Sequence, residues 1–445
     1  METILKQEEL FKQTVMEISE QLAEPQWLRK RRLRALKIFN RTPWPTGKEE
    51  EWRKTKILHF QNERYPVPES AFWKPGKNVF TRIPAPVSAF LEEAARYAGI
   101  LVQTDALPVQ KYLGEEEAHR HLVIDDLPTA ARKYPEWVEA YFMNRVITPE
   151  QGKLEALHGA FWNIGAFVRI PEGSAFEKPI HIAYHFTGKE QSLYPHTLVV
   201  AEPNSRATII ETVTTDEMEA PVFLNRQIEI FAGEGACLDY MVIQLEHSAE
   251  TVYSAFRSTL KKDSSVNWRL FSFCGKTSKT HLEIDLEEEG ATADVQGIFL
   301  GGDHQHLDFN TIQKHLKSRT RSTLLLKGAV TGHSKSAFRG VIHIDPNAQK
   351  TDAYQLNNNL LLSKNAQADA NPVLEIEAND IRCTHGATAG QLDDSQLFYL
   401  QTRGLPLKLA KRLIVEGYFK TIVDLLPNDT LKNAVYDEIG RKLND

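Results

Sequence analysis

The chain has 445 residues, of which 42% are hydrophobic and 25% are charged, and its formal net charge is −6. This is the composition of an ordinary globular protein of one to three domains. The acidic balance gives no general attraction to nucleic acid or to an anionic membrane surface, so we expect neither as a partner.

Targeting segments and cysteines indicate the compartment. No apolar run approaches the length of about 18 residues that a membrane-spanning helix needs, and the N-terminus lacks the pattern of a signal peptide. The three cysteines, Cys237, Cys274 and Cys383, are too widely spaced for a disulfide framework and suit a reducing environment. We therefore expect a cytoplasmic protein.

Residues 1–154 are predicted to form an N-terminal helical and mixed region. Pro25 suits the first turn of a helix, and Leu28, Ala35, Leu36 and Phe39 follow it at helical spacing. The same segment is rich in basic residues: Arg29, Lys30, Arg31, Arg32, Arg34 and Lys37. Because they lie opposite the apolar stripe, we interpret them as a solvated helix face rather than a nucleic-acid surface.

Residues 155–395 change to short alternating strands, as in His281–Glu287, with no convincing helix between them. Small or polar corners recur about every 30 residues, at Ser205-Arg206-Ala207, Gly235-Ala236-Cys237, Ser264-Ser265-Val266, Gly290-Ala291-Thr292 and Arg321-Ser322-Thr323. This loose period favours a β-solenoid, although a β-sandwich also has short strands and regular turns.

Residues 396–445 are predicted to form a C-terminal helical region. Leu431, Val435, Ile439 and Leu443 recur every fourth residue, with Asp429 or Thr430 available as the N-cap. A helical tail too short for a core of its own must bury this stripe on another surface.

The segment 372–404 contains the pair with the most chemical potential, Cys383 and His385. In an extended strand, side chains two residues apart leave the same face, so a thiolate and an imidazole there can bind a transition metal or exchange sulfur. Ile381 has the same parity, however, and the same alternation can instead point Cys383 into an apolar interior, where a thiol is inert.

Two further pairs are weaker candidates. His304 and His306 would share a face of an extended strand and chelate a metal, although no third ligand is evident. Glu375 and Glu377 share a face near Cys383 and are candidate auxiliary ligands, or else a solvated edge. No catalytic residue is assigned.

One register of the C-terminal region combines Leu374-Glu375-Ile376, Asp380, Cys383, His385-Gly386-Ala387-Thr388, Gly390, Leu397-Phe398-Tyr399-Leu400 and Arg403-Gly404. This combination resembles the C-terminal signature of the SufB/SufD family of iron–sulfur cluster assembly scaffolds. Near the N-terminus, Glu51-Trp52-Arg53-Lys54-Thr55 looks more like the SufD-like branch than the SufB-like branch. One departure is His158, where the family pattern has asparagine.

The resemblance implies a right-handed parallel β-helix core with an α/β region before it and helices after it, and it decides between solenoid and sandwich. It implies a non-enzymatic scaffold whose nascent cluster or iron site lies at a subunit interface, with His385 as a ligand and Cys383 beside it. The implied partners are a SufB-like paralogue and a SufC-like ATPase that docks on the C-terminal helices. A homodimer is expected when the chain is isolated. The helices could also simply close the end of the solenoid.

The cysteine count bears on the cofactor. A stable iron–sulfur cluster usually takes four protein ligands, and this chain has no Cys-x-x-Cys motif. We therefore expect a transient cluster or iron shared with the partner, and no permanent cofactor in the isolated chain. Two enzyme classes stay open as alternatives: a β-helix carbohydrate-active enzyme using Asp393 or Asp394, and a thiol enzyme using Cys383 and His385.

Overall fold

The computed structural model of this chain describes residues 2–61, 94–105, 110–187, 192–216, 222–245 and 249–444. Strands make up 43% and helices 29%, and the strands form a β-solenoid of about seven turns with helices at both termini. The mainly β fold class predicted from the sequence is therefore confirmed.

The strands of the solenoid follow one another along the chain. They are β1 (Gly99–Thr104), β2 (Gln110–Leu113), β3 (Val123–Asp126), β4 (Ile164–Ile170), β5 (Ile180–Phe186), β6 (Ser192–Leu193), β7 (Pro195–Ala201), β8 (Arg206–Thr215), β9 (Phe223–Ala232), β10 (Cys237–Leu245), β11 (Thr251–Leu260), β12 (Ser265–Ser272), β13 (Thr277–Leu286), β14 (Thr292–Gly301), β15 (His306–His315), β16 (Arg321–Val330), β17 (Lys335–Ile344), β18 (Asp352–Leu361), β19 (Gln367–Ile376) and β20 (Arg382–Gln391). The recurring corners predicted from the sequence stand where β8, β10, β12, β14 and β16 begin.

The helices lie mostly outside this run of strands. They are α1 (Glu2–Gln21), α2 (Gln26–Arg41), α3 (Glu115–His119), α4 (Leu127–Lys133), α5 (Pro135–Tyr141), α6 (Lys153–Phe161), α7 (Asp394–Thr402), α8 (Leu407–Val423) and α9 (Asp429–Asn444). The predicted region limits at 154 and 395 each fall inside a helix. The strands β1, β2 and β3 lie within the predicted N-terminal region 1–154, yet they already belong to the two sheets.

Two sheets form the walls of the solenoid. Sheet A has the order β2-β1-β5-β8-β10-β12-β14-β16-β18-β20, and sheet B has the order β19-β17-β15-β13-β11-β9-β7-β4-β3, with β6 also paired to β9. Apart from the pairs β1–β2 and β3–β4, which are antiparallel, neighbouring strands are parallel. From β7 onward, successive strands along the chain alternate between the sheets, so each coil stacks on the previous one.

The lumen between the sheets holds the main core. Because side chains alternate along each strand, one face of every strand points inward, and Tyr240, Phe256 and Trp268 meet there. The rings of Phe256 and Trp268 stack with centroids 5.8 Å apart. Each coil thus covers the apolar face of its neighbour, which is how a solenoid buries a continuous core.

Helices cover the outer face of each sheet. Residues of α1, α2 and α6 pack with sheet B, and residues of α8 and α9 pack with sheet A. Leu431, Val435 and Ile439 of the predicted C-terminal stripe are buried there, as expected. The N-cap prediction was wrong by one or two residues: Asn428 takes that role, since its Oδ1 accepts from the Leu431 N–H at 2.9 Å.

The two ends of the solenoid differ. At the N-terminal end, the short antiparallel strands β2 and β3 finish the sheets. At the other end lie β19 and β20, each ten residues long, and none of their residues is fully buried. Among the described residues, these two strands pair on one side only. We call this the open end.

Arg32 departs from the prediction that the basic residues of α2 form a solvated face. It is 1% exposed, and its Nη1 donates to the carbonyls of Ala160 and Trp162 at 2.9 and 2.8 Å. Its guanidinium also pairs with Glu24, and both side chains of this pair are fully buried. Sequence periodicity missed this because a long arginine side chain can reach inward from the edge of an apolar stripe.

Arg32→Met should lower the free energy of unfolding by about 3–5 kcal/mol, because Glu24 would then be a buried charge without its partner. Urea unfolding followed by fluorescence measures this. The matched control is Arg34→Met, whose exposed ion pair with Glu150 should contribute less than about 1 kcal/mol. Adding Glu24→Gln to Arg32→Met should recover part of the loss; equal losses in the single and double variants would contradict this account.

Candidate functional site at the open end

Cys383 and His385 lie on the inward-facing row of β20. In the parallel ladder, Cys383 is in register with Ala353 and His385 with Gln355 of β18. Ala353 and Gln355 are 1% and 0% exposed, and Gln355 Nε2 crosses the lumen to donate to Gly340 O at 3.0 Å. Residues in register point to the same side of a sheet. Cys383 and His385 therefore stand at the mouth of the lumen, where the ladder stops.

His385 is exposed at this mouth. Within the part of the chain that the structure describes, its imidazole makes no side-chain hydrogen bond or ion pair. Both ring nitrogens are thus accessible to a ligand or partner that approaches the open end. An exposed neutral imidazole is a common ligand of iron and other transition metals.

Cys383 has a different environment. It is half-buried and packs against a small apolar cluster that includes Ile342, Ile344 and Ala353. Burial raises the pKa of the Cys383 thiol to about 11. Neither Arg382 nor His385 lowers it, which favours the apolar interpretation of this cysteine in the isolated chain.

Glu375 and Glu377 do not lie on the same side of the structure as Cys383 and His385. Alternation along β19 turns Leu374 inward, where it packs against the same apolar cluster as Cys383, and turns Glu375 to the outer face of sheet B. There Glu375 lies 3.3 Å from Nδ1 of His343, its register partner on β17. Glu377 has the parity of Glu375 and is exposed. The two carboxylates are on the far side of the sheet from the lumen.

His304 and His306 are separated by the start of a strand. Because β15 begins at His306, His304 lies in the preceding turn and stacks on His333, with ring centroids 4.9 Å apart. His306 instead contacts Thr55 at 2.8 Å. Across the described residues, no three His, Cys, Asp or Glu side chains converge as a metal site. The shared strand face expected for these two histidines is therefore not formed.

The segment Glu51–Thr55 contacts sheet B in a way that the sequence did not reveal. Trp52 is buried under the ammonium of Lys279, which lies 4.7 Å from the ring centroid. Thr55 contacts His306 and Asp308 on β15. Lys54 then pairs with Asp369 of β19 at 3.0 Å. This N-terminal segment is anchored beside the open end.

The C-terminal helices present an exposed apolar surface beside the open end. On α7, Phe398 is 70% and Tyr399 56% exposed, and Leu407, Leu409 and Leu413 are exposed on α8. We call these five residues the C-terminal apolar surface. The opposite side of α8 is fixed to sheet A, where Lys327 of β16 donates to Tyr418 O at 2.8 Å. The helices α8 and α9 thus cover a side wall of the solenoid.

The residues proposed for the enzyme alternatives have structural roles. The Asp393 carboxylate caps α7 by accepting from the Ser395 N–H at 2.8 Å, and Asp394 is in the first turn of that helix. A nucleophilic thiol needs a lowered pKa, whereas that of Cys383 is raised. The raised pKa argues against the thiol enzyme, and the capping bond gives Asp393 a structural role.

Comparisons with known proteins agree with the geometry. The family model described as "SUF system FeS cluster assembly, SufBD core domain" matches residues 184–418. The chain is 28% identical to the iron-sulfur cluster assembly protein SufD of Bacillus subtilis over 429 residues, which covers 96% of both chains. It is 25% identical to SufB of the same organism, covering 94% of this chain and 90% of that one. It is also 29% identical to SufD of Escherichia coli over 281 residues, or 62% of this chain and 66% of that one.

A match over more than half of the chain, on a solenoid with these features, defines the class of protein. The chain belongs to the SufBD family of iron–sulfur cluster assembly proteins. Within that family it is SufD-like, as the segment around Trp52 indicated. The resemblance first drawn from the C-terminal signature is confirmed.

Of the helices described, none combines the length and the apolar character that spanning a bilayer requires.

Alkylation should distinguish the two interpretations of Cys383. Only the thiolate reacts, and the pKa of about 11 leaves little thiolate at neutral pH. Iodoacetamide should therefore label Cys383 of the isolated chain on the order of a hundredfold more slowly than an unperturbed cysteine, with the rate rising as the pH approaches the pKa. Mass spectrometry of peptides gives the rate, and Cys383→Ser confirms the assignment. Labelling as fast as that of glutathione would restore the thiol-enzyme hypothesis.

Proposed function

We propose that this chain is a non-enzymatic scaffold subunit in iron–sulfur cluster assembly, and that its open end joins a SufB-like solenoid. The observation that carries the proposal is the pair of strands β19 and β20. Each is ten residues long, has no fully buried residue and is paired on one side only in the described structure.

Unpaired strands of this length need a partner. Each presents a row of backbone N–H and C=O groups that favours pairing with another strand, and proteins usually shorten, charge or cover such edges. The opposite end of this solenoid is finished by four-residue antiparallel strands. A partner solenoid with an open last coil of its own could pair with β19 and β20 together and so extend both sheets of this chain. A paralogue of the same fold would present such a coil.

The proposed pairing would place His385 inside a shared site. The ladder would continue across β20, so the imidazole at the lumen mouth would face the partner's last coil. The three cysteines are Cys237 on β10, the buried Cys274 and Cys383, and they lie on different elements. A nascent cluster would therefore need ligands from both subunits. The cluster or its iron is the cargo of this site rather than a resident cofactor.

We further propose that a SufC-like ATPase docks on the C-terminal apolar surface. Five large apolar side chains exposed together on α7 and α8 are typical of a surface that binds another protein. The sequence itself lacks a phosphate-binding loop: Gly275-Lys276-Thr277 has leucine, Leu270, where the first glycine is required. ATP hydrolysis would thus be supplied in trans. The free cysteines suit assembly in the reducing cytoplasm.

His385→Ala should lower the amount of cluster formed on the co-purified complex while leaving the fold intact. The imidazole is exposed and unpartnered in the described chain, so its removal should change the free energy of unfolding by less than about 0.5 kcal/mol. The measurement is iron, sulfide and visible absorbance after anaerobic purification of the complex from co-expressing cells.

His343→Ala is the matched control for this experiment. It removes a histidine from the same end of the solenoid, but from the outer face, where it contacts Glu375. Cluster content should match that of the wild type. Wild-type cluster content in His385→Ala, or equal losses in both variants, would remove His385 from the mechanism.

Leu409→Glu and Leu413→Glu should each abolish retention of the ATPase without unfolding the chain, because both side chains are 41% exposed. A pull-down from cells that co-express the ATPase measures retention. Leu10→Glu, on an exposed position of α1, is the control. Retention of the ATPase by both α8 variants would contradict docking at this surface.

Point variants are better than deletion of the C-terminal region. Deleting residues 405–445 would remove α8 and α9 and uncover apolar residues of sheet A such as Phe271 and Ile298. Loss of the ATPase in that deletion could then follow from unfolding.

Isolated chain should be able to use the same strands for a homodimer. Light scattering of the purified chain gives its mass, and addition of the SufB-like partner should replace the second copy.

A further inference from the structure

A cavity of about 400 Å³ lies between the end of α9 and the turn before β15, away from the open end. Its polar lining consists of Lys276, Asp303, His304, Gln305, Arg441 and Lys442. Three of these side chains, those of Lys276, Arg441 and Lys442, are basic, and Asp303 is the one carboxylate among the described lining residues. None of them has a role in the function proposed above.

Lys442 is the central residue of this cavity. It is 6% exposed, and its ammonium donates to Gln305 Oε1. The Gln305 side chain is fixed by two other bonds: Oε1 also accepts from the Gly302 N–H at 3.0 Å, and Nε2 donates to Gly275 O at 2.5 Å. In the described chain no carboxylate lies within ion-pair distance of the Lys442 ammonium.

This environment disfavours the charged form of Lys442. A buried ammonium whose direct hydrogen-bond partner is a neutral amide has lost most of its hydration, and this burial lowers the pKa of Lys442 to about 8 although the carboxylates of Glu438 and Asp303 act in the opposite direction. An ammonium has three donors, and within the described chain that of Lys442 makes one hydrogen bond, to Gln305, which leaves two donors for a ligand in the cavity that this residue lines. An anion placed there would supply the missing acceptors and charge.

The other two cations approach the same space from different elements. Lys276 comes from the turn before β13, and Arg441 from the last turn of α9. Each has a carboxylate partner outside the cavity lining, Glu250 at 2.7 Å and Glu438 at 2.6 Å respectively. Those pairs hold the two cations in place beside the cavity.

We propose that this cavity binds the phosphate group of a small molecule, with Lys442 as its principal donor. A phosphate presents several strong acceptor oxygens in different directions, which suits cations that converge from a turn and a helix. The volume leaves room for a substituent on the phosphate. The proposal is independent of the assembly function and of the open end.

The test is calorimetric titration of inorganic phosphate, and separately of adenosine monophosphate, into the full chain in low-salt buffer. Saturable binding at one site per chain is expected. Lys442→Met should weaken it by about tenfold or more, the value of one charge-assisted hydrogen bond. Lys317→Met, at an exposed lysine in another turn, should change nothing.

A comparison of two ligands and a second variant complete the test. Tighter binding of the nucleotide than of phosphate would identify a substituted phosphate as the ligand, and equal binding would identify the free anion. The Lys276 side chain is 72% exposed, so Lys276→Met should leave the fold intact. This variant should also weaken phosphate binding, and it tests the proposal if Lys442→Met unfolds. Absence of saturable binding to the wild type, or equal weakening by Lys317→Met, would overturn the proposal.

Discussion

The parallel ladder between successive coils is the interaction on which the rest of this structure depends. From β13 through β15 to β17, ten consecutive residues of each strand are in register with the next coil. Every backbone group in such a coil is satisfied by the coils on either side, and every inward side chain is covered by them. In the described structure, the same arrangement leaves the strands of the last coil, β19 and β20, with backbone hydrogen-bonding groups unpaired along one edge. The open end is therefore a consequence of the fold.

The outer faces impose a second requirement, because part of each sheet is apolar on the outside as well. The N-terminal helices cover sheet B and the C-terminal helices cover sheet A, so regions distant in sequence belong to one folded unit. Trp52 and Thr55 extend this cover along sheet B, and Lys54 and Glu50 reach Asp369 and Arg339 near the last coil. The position of β19 is thereby linked to the N-terminal segment, while the C-terminal apolar surface lies beside β20.

Particular residues show what the sequence could predict. The alternation of His281–Glu287 and the recurring corners identified the coils, because a period of two and a repeat length are local properties of the chain. Arg32 was misplaced, since its partners Ala160 and Trp162 are far away in sequence. His304 was misplaced because the start of β15 differs by two residues from the expected strand. Parity predicted that Cys383 and His385 share a face, but whether that face points inward and how exposed it is depend on where the solenoid stops, which no local pattern records.

The difference between Cys383 and His385 bears on the order of binding at the open end under the proposed function. In the isolated chain the imidazole is accessible, whereas the thiol is half-buried with its pKa raised to about 11. A thiol in this state resists oxidation and alkylation, since both proceed through the thiolate. A metal ion binds the thiolate and releases the thiol proton to solvent, so a raised pKa makes that binding harder but does not prevent it. If the open end is the shared site that we propose, iron held first by His385 and by groups of the partner would recruit Cys383 in this way, and a chain without a partner would keep that cysteine unreactive.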